Sequence, residues 1–332
     1  VKKLMNDPRA VTEQAVAGFV RAHGARLRRV GTGYGVARVD PLLPGTVAVI
    51  GGGGSGHEPL HVGFVGGGAL AGAVPGEIFS APTPESILEV VQATHTGAGV
   101  LFVVGNYSGD RFNFELAAER CAELGIPARL VVVSDDVGLG SLIPADRRRG
   151  IAGMLVALKI LGAAAERGDD LETLVAIGDR LNAGLASMGV GLRAGTSPLA
   201  DVASFDLGED EMEVGIGIHG ELGRDRVPRG RADEIAELLL TEILGELRAT
   251  PVDTLLVFVN GMGGTPPGEL ALFFDSVARD LEGRGFAVGR ALVGAYVTAL
   301  DMQGVSVSIA RLDPELLSLW DAPLDTPVLR AP

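Results

Sequence analysis

Of the five histidines in the chain, two stand where chemistry is easiest to place. His219 lies in Gly215-Ile216-Gly217-Ile218-His219-Gly220-Glu221, and glycines on both sides leave its imidazole uncrowded. A neutral imidazole is available as a nucleophile in the neutral pH range. A histidine after an apolar strand can equally be structural or merely solvated. His57 ends the run Gly51–His57, which continues as Glu58-Pro59. So dense a glycine run makes a flexible cradle of backbone amides, and Gly54, Ser55 and Gly56 form its end beside the imidazole. Asp110 closes Gly105-Asn106-Tyr107-Ser108-Gly109-Asp110. A carboxylate there can take a hydroxyl proton, or it can cap a helix expected to start near Phe112.

Two formal motifs in the same stretch fail on physical grounds. Gly51-x-Gly53-x-x-Gly56 fits a dinucleotide fingerprint with Glu77 about 20 residues on. Glycines this dense fit that pattern by chance, and Ala73-Val74-Pro75-Gly76 makes a poor second strand. No Gly-Lys-Ser/Thr ending follows, so the run is not a Walker A loop. His57-Glu58-Pro59-Leu60-His61 fits the zinc-protease pattern, which needs both histidines one turn apart inside a helix. Pro59 is tolerated only in a first helical turn, which leaves His57 outside and makes His61 an ordinary helix residue. No metal site is expected.

The elements that must carry these residues alternate between β-branched runs and helical periods, the mark of an α/β fold. Asp7-Pro8 opens a helix through about Ala22, and Thr83-Pro84-Glu85 caps another. Strands are expected at Thr46–Ile50, Val100–Val104, Arg129–Val133, Glu213–Ile218, Thr254–Val259 and Val305–Ala310. Helices are expected at Phe112–Leu124, Ile151–Ala165, Leu171–Ser187, Ala232–Leu247 and Glu269–Leu281. Gly189–Pro198 is glycine-rich and is read as a connection, so the domains are expected at 1–188 and 189–332. The first should hold a mostly parallel sheet and the second a smaller α+β unit. The Gly51–Gly56 and Gly105–Asp110 loops, His219 and Asn260–Gly264 all fall past the C-terminal ends of strands, where open α/β sheets bind ligands.

Composition bounds the function. The 332 residues are 47% hydrophobic and 21% charged, a globular balance, with 49 glycines and only 5% aromatics. A net charge of −14 opposes nucleic acid and anionic membrane surfaces. No apolar run reaches the roughly 20 residues of a spanning helix. The start of the chain has two lysines but no apolar stretch behind them, so no secretory signal is expected. The single cysteine, Cys121, reads as a small core residue. A cytoplasmic location is expected.

Seven motifs in order resemble one family over essentially the whole chain. They are Gly52–Pro59 (GGGSGHEP), Gly76–Pro84 (GEIFSAPTP), Asn106–Asp110 (NYSGD), Arg148–Gly153 (RRGIAG), Gly217–Glu221 (GIHGE), Asn260–Thr265 (NGMGGT) and Leu292–Met302 (LVGAYVTALDM). Together they resemble the substrate-binding K subunit of dihydroxyacetone kinase. The resemblance implies that His219 bonds the carbonyl carbon of a small ketose as a hemiaminal. His57 would then be the acid/base that helps form the adduct, and Asp110 the carboxylate that takes the proton from the hydroxyl to be phosphorylated. Gly54, Ser55 and Gly56 would form the cradle around the substrate. The bond would fix a weakly held ketose in one orientation, and glycerol, with no carbonyl, would be refused.

The family's nucleotide module is all-helical, and 332 residues with three lysines leave no place for it. No cofactor is therefore expected in this chain. ATP, or ADP, with Mg is expected on an L-type nucleotide-binding partner subunit, recharged in some arrangements by a phosphotransferase-system protein. The resemblance also implies a homodimer. Gly105 stands where the family commonly has a substrate-holding lysine, and Ala81 where serine is common. Those departures suit a longer ketose such as erythrulose, or a non-catalytic paralogue that senses a ketose for a regulator.

Overall fold

Among the described residues the alternating pattern folds into two six-stranded sheets and one short hairpin. The computed structural model describes residues 2–199 and 203–332, and the chain divides into two compact units.

The first unit comprises residues 2–133, 154–180 and 316–332. Its strands are β1 (Leu27–Arg29), β2 (Val36–Arg38), β3 (Ala48–Ser55), β4 (Gly72–Ile78), β5 (Val100–Gly105) and β6 (Ala128–Val133), in the order β1-β2-β4-β3-β5-β6. The β4-β3-β5-β6 portion is parallel, whereas β1 and β2 pair antiparallel. Helices α1 (Val11–Ala22), α2 (Pro84–Thr94), α3 (Ser108–Glu123) and most of α4 (Gly153–Arg167) and α5 (Leu171–Ala183) belong to it. β5 is buried along its whole length, as the strands of a covered parallel sheet must be. With few aromatics, the core is aliphatic around one edge-on pair, Phe102 and Phe114, 5.3 Å apart.

The second unit comprises residues 134–153 and 181–315. It holds β7 (Leu185–Arg193), β8 (Glu211–Val214), β9 (Asp225–Pro228), α6 (Ala232–Leu247), β10 (Leu255–Gly261), α7 (Pro267–Gly283), β11 (Val288–Gly294) and β12 (Gln303–Arg311). The order is β11-β10-β12-β7-β8-β9; β10–β11 is parallel and the other pairs of this order are antiparallel. Leucines and isoleucines of α6 cover the sheet with Phe273 and Val277 of α7. The closing segment, with most of α8 (Pro314–Asp321), β13 (Leu324–Asp325) and β14 (Arg330–Ala331), returns to the first unit. The buried Lys159 of α4 anchors it there, donating to the carbonyls of Leu319 and Ala322 at 3.1 and 2.8 Å.

The fold is thus α/β, with one mostly parallel and one mixed sheet, but several local expectations need correction. The cut at 188/189 falls inside β7, a central strand between β12 and β8, so the units are not the contiguous stretches 1–188 and 189–332. The glycine run through Ser55 is strand rather than loop: Gly51, Gly52 and Gly53 pair with Ala73, Val74 and Pro75. β4 tolerates Pro75 because its pairing with β2 covers only Gly72 and Ala73, so the missing N–H breaks no ladder. The strand before His219 stops at Val214, since Gly215 turns the chain at φ +78°. Among the described residues, no helix is long and apolar enough to cross a membrane.

Candidate functional site

In the first unit the glycines of β3 bring side chains close to bare backbone. A methyl group at Gly53 would lie 3.8 Å from both carboxylate oxygens of Asp110 and 3.3 Å from the ring of His61. On the next residue, a methyl group at Gly54 would meet the backbone of Phe79 and Ser80 at 2.7–2.9 Å. Successive strand residues face opposite sides, so the two faces of β3 serve different neighbours. One carries Asp110 and His61, and the other the Phe79 segment. Phe79 holds φ +54°, and its ring stacks on His57 with centroids 5.2 Å apart and planes 26° apart.

Asp110 is not the cap of α3. That helix begins two residues earlier, at Ser108, and Asp110 sits buried in its first turn, where the helix dipole favours a carboxylate. Ser55 donates its hydroxyl to Gly76 O at 2.6 Å, which ties the cradle to β4. The Gly56 amide donates to the carboxylate of Glu58 at 3.0 and 3.1 Å. As an N–H for a ligand, Gly56 therefore competes with an internal acceptor. Gly105 is the last residue of β5, in register with Val133 in extended backbone.

His61 is not a helical residue. It precedes the short 3-10 turn Val62–Phe64, and no helix joins it to His57, which removes the zinc-protease geometry. Its ring lies over Gly51 and Gly53, and among the described residues its buried Nε2 meets no hydrogen-bond partner. Burial pushes its pKa down to about 3, so the imidazole is neutral at physiological pH. It lines, with Gly53, Gly54, Ser55, Val16 and Phe19, a mainly apolar cavity of about 330 Å³ under α1.

In the second unit, His219 stands five residues beyond β8 and is partly buried. Its Nδ1 lies 3.0 Å from Oε1 of Glu221, and its backbone N–H donates to Oε2 of the same carboxylate at 2.9 Å. Burial works to raise the Glu221 carboxyl. The hydrogen bond and charge of His219, the residue's own backbone N–H and the Arg149 guanidinium outweigh burial and hold it at about 2. An ionised carboxylate on Nδ1 fixes the ring and its tautomer, which directs reactivity to Nε2. Asn260, buried at the end of β10, spends its amide on Val297 O, Ser306 Oγ and the N–H groups of Tyr296 and Val297, so it braces a turn.

Sequence reasoning missed Glu221, Gly53, His61, Phe79 and Arg149. The i, i+2 spacing of His219 and Glu221 across Gly220 is the one signal that could have found a partner. Among the described residues no cluster of three or more His, Cys, Asp or Glu side chains forms a metal site.

A parallel glycine-rich strand end beside a buried carboxylate in the first unit, and a carboxylate-oriented histidine beyond a mixed sheet in the second, mark the chain as an α/β protein with bare backbone at its strand ends. The family model of the Dak1 domain matches residues 17–328, and the chain belongs to that family. It is 39% identical to the dihydroxyacetone-binding subunit DhaK of the PEP-dependent dihydroxyacetone kinase of Escherichia coli (strain K12), across 99% of both chains. It is 40% identical to the D-erythrulose kinase of Mycolicibacterium smegmatis, across 99% of this chain and 56% of that one. Among solved structures, the dihydroxyacetone kinase operon co-activator Dha-DhaQ superposes with a TM-score of 0.90 at 32% identity. That match covers 95% of this chain and 97% of the other.

Proposed function

We propose that this chain is the ketose-binding, substrate-presenting subunit of a dihydroxyacetone-type kinase and holds its ketose covalently on His219. The observation that carries this reading is the Glu221–His219 pair, with Nδ1 committed to a carboxylate at 3.0 Å. The Nε2 lone pair attacks the carbonyl carbon, and the C–N bond forms as the C=O π bond opens. The carbonyl oxygen gains a proton, delivered by His57, and the ring loses one from Nδ1 toward Glu221. Nothing leaves, so the adduct has the full mass of the ketose. Asp110, buried and aimed over Gly53, then takes the proton from the hydroxyl that receives the phosphoryl group. Gly54 and Ser55 shape the cradle beside it.

The phosphoryl donor belongs to a partner. Full-length likeness to a subunit whose own name is PEP-dependent supports an L-type nucleotide subunit, served by ATP or by a phosphotransferase-system protein. The bonded ketose is dihydroxyacetone or a four-carbon relative. Gly105 in place of a lysine, and the likeness to an erythrulose kinase, favour room for the longer sugar.

A second reading has a specific observation behind it: an operon co-activator shares the fold at a TM-score of 0.90. A ketose sensor would keep the adduct and not transfer phosphate. The two readings separate when the chain is mixed with an L-type subunit, a phosphoryl donor and dihydroxyacetone or erythrulose. The kinase reading expects ketose phosphate in amounts exceeding the protein. An adduct with no phosphate transfer from ATP or from a phosphotransferase-system donor would leave the sensor.

A further inference from the structure

Behind Glu221 lies a largely buried ion pair that takes no part in the adduct chemistry above. Arg149, in the Arg148–Gly153 motif, donates Nε to Oδ2 of Asp136 at 2.7 Å, and its Nη2 approaches the same oxygen at 2.6 Å. Asp136 is 2% exposed, and its other oxygen accepts the Gly138 N–H at 2.8 Å. Nη2 of Arg149 also donates to Gly215 O at 2.8 Å, where the chain leaves β8 and turns toward His219. Gly138 and Gly215 are pressed together, since a methyl group at Gly215 would lie 2.4 Å from Gly138 O. The start of the His219 turn is thus pinned from both sides by the Asp136–Arg149 pair.

Gly217 links that pair to the histidine. A methyl group there would lie 2.0 Å from Oε2 of Glu221 and 2.8 Å from Nη1 of Arg149. The carboxylate that orients His219 and the guanidinium held by Asp136 share the space over one residue without a side chain. The guanidinium fork matches this arrangement, because one plane of donors reaches Asp136 and Gly215 O while presenting positive charge to Glu221.

We propose that Arg149, held by Asp136, is a positioning residue for the Glu221–His219 pair. It holds Glu221 in place beside the turn, so that His219 carries its proton on Nδ1 and Nε2 is the nucleophile. Its effect on reactivity rests on His219 being the ketose anchor, whereas its effect on the tautomer does not. Without the pin, the Gly215–Gly220 turn loosens, Nδ1 loses its acceptor for part of the time, and the proton moves toward Nε2.

The test uses the full chain, as wild type, Arg149→Lys and the double variant Asp136→Asn/Arg149→Met. The double variant removes both charges together, so no unpaired buried ion is left to unfold the protein. ¹⁵N NMR of the His219 ring gives the tautomer, and intact mass against time with dihydroxyacetone gives the rate of adduct formation. Expected are an Nδ1–H ring in the wild type and a shift toward Nε2–H in the double variant, with Arg149→Lys between them. Adduct formation should slow in the same order, on the order of tenfold in the double variant, by analogy with the loss of an outer partner that orients a metal-bound histidine. A double variant with wild-type tautomer and rate would overturn the role. If the double variant does not fold, Arg149→Lys matching the wild type in both readouts would overturn it equally. Absence of any adduct in the wild type would count against the ketose reading, and the tautomer comparison would still decide the role of Arg149.

Discussion

The three proposed reacting groups sit in different physical settings, and those settings divide the labour among them. His219 is oriented by an ionised carboxylate, His57 is buried against an aromatic ring, and Asp110 lies in a helix first turn over bare glycine backbone. Replacing His57 by Asn should mainly slow adduct formation, since the carbonyl oxygen loses its proton source. Asp110→Asn should keep the adduct and lose turnover by ~10²-fold or more, as for a general base. Intact mass and a phosphate-transfer assay read the two steps separately. An Asp110→Asn protein that folds but makes no adduct would reassign that residue to binding.

The buried ring of His61 makes stability depend on pH. In the unfolded chain its ring takes a proton near 6.5, whereas in the fold it stays neutral down to about 3. The unfolded state thus binds more protons as pH falls below 6.5, and stability is lost there. Between pH 7 and pH 5 this one group should cost about 2 kcal/mol. Urea unfolding at the two pH values should show a flatter dependence in His61→Asn by that amount. An unchanged slope would mean the ring is protonated in the fold.

At the scale of elements, the chain's periodicities were readable where side chains carry the signal. The helix Ala232–Leu247 lies where its apolar spacing puts it, and Thr83 caps α2 by accepting from Ser86 N. The strand through Gly51–Gly53 was not readable, because glycines give no alternation of apolar side chains and pair through backbone alone. β7 was hidden the same way, since its glycines at 189 and 191 look like a connection, although they pack under Met262 and Ile216. The candidate histidines and Asp110 were legible as residue types at strand ends. The partner of His219, Glu221, had only its i, i+2 spacing as a signal, and Arg149 had none, because only the fold brings positions 136, 149 and 217 together.

At Gly105 the strand decides what can replace the residue. It ends β5 in extended backbone paired with Val133, a conformation open to any residue, so a lysine there need not strain the turn. Gly105→Lys should therefore shift kcat/KM from erythrulose toward dihydroxyacetone by about 1–3 kcal/mol, the value of a methylene-sized space. The ratio is measured with the nucleotide partner present. A mutant impaired equally for both sugars, or a wild type that strongly prefers the three-carbon sugar, would reject the larger-pocket idea.

For the whole molecule, the decisive fact is that neither unit is a single stretch of chain. The first unit is completed by Leu316–Pro332, and the second takes Ser134–Gly153 from between β6 and α4. Asp135 ties that early segment to the start of α4, accepting from Ile151 N and Gly153 N at 2.8 Å each. A fragment of residues 1–188 would lack the segment that satisfies Lys159 and would end inside β7. It should be largely unfolded by circular dichroism and rapidly proteolysed. A cooperative, protease-resistant 1–188 fragment would show that the closing segment is dispensable.

Intact-mass analysis of the wild type and His219→Ala after incubation with dihydroxyacetone and erythrulose decides whether His219 is the covalent anchor. The wild type should gain the full mass of the ketose, with no loss of water, because a hemiaminal retains the hydroxyl. His219→Ala, with its circular dichroism unchanged, should gain nothing. An adduct that survives in His219→Ala would place the anchor on another residue, and one that has lost a water would rule out a hemiaminal.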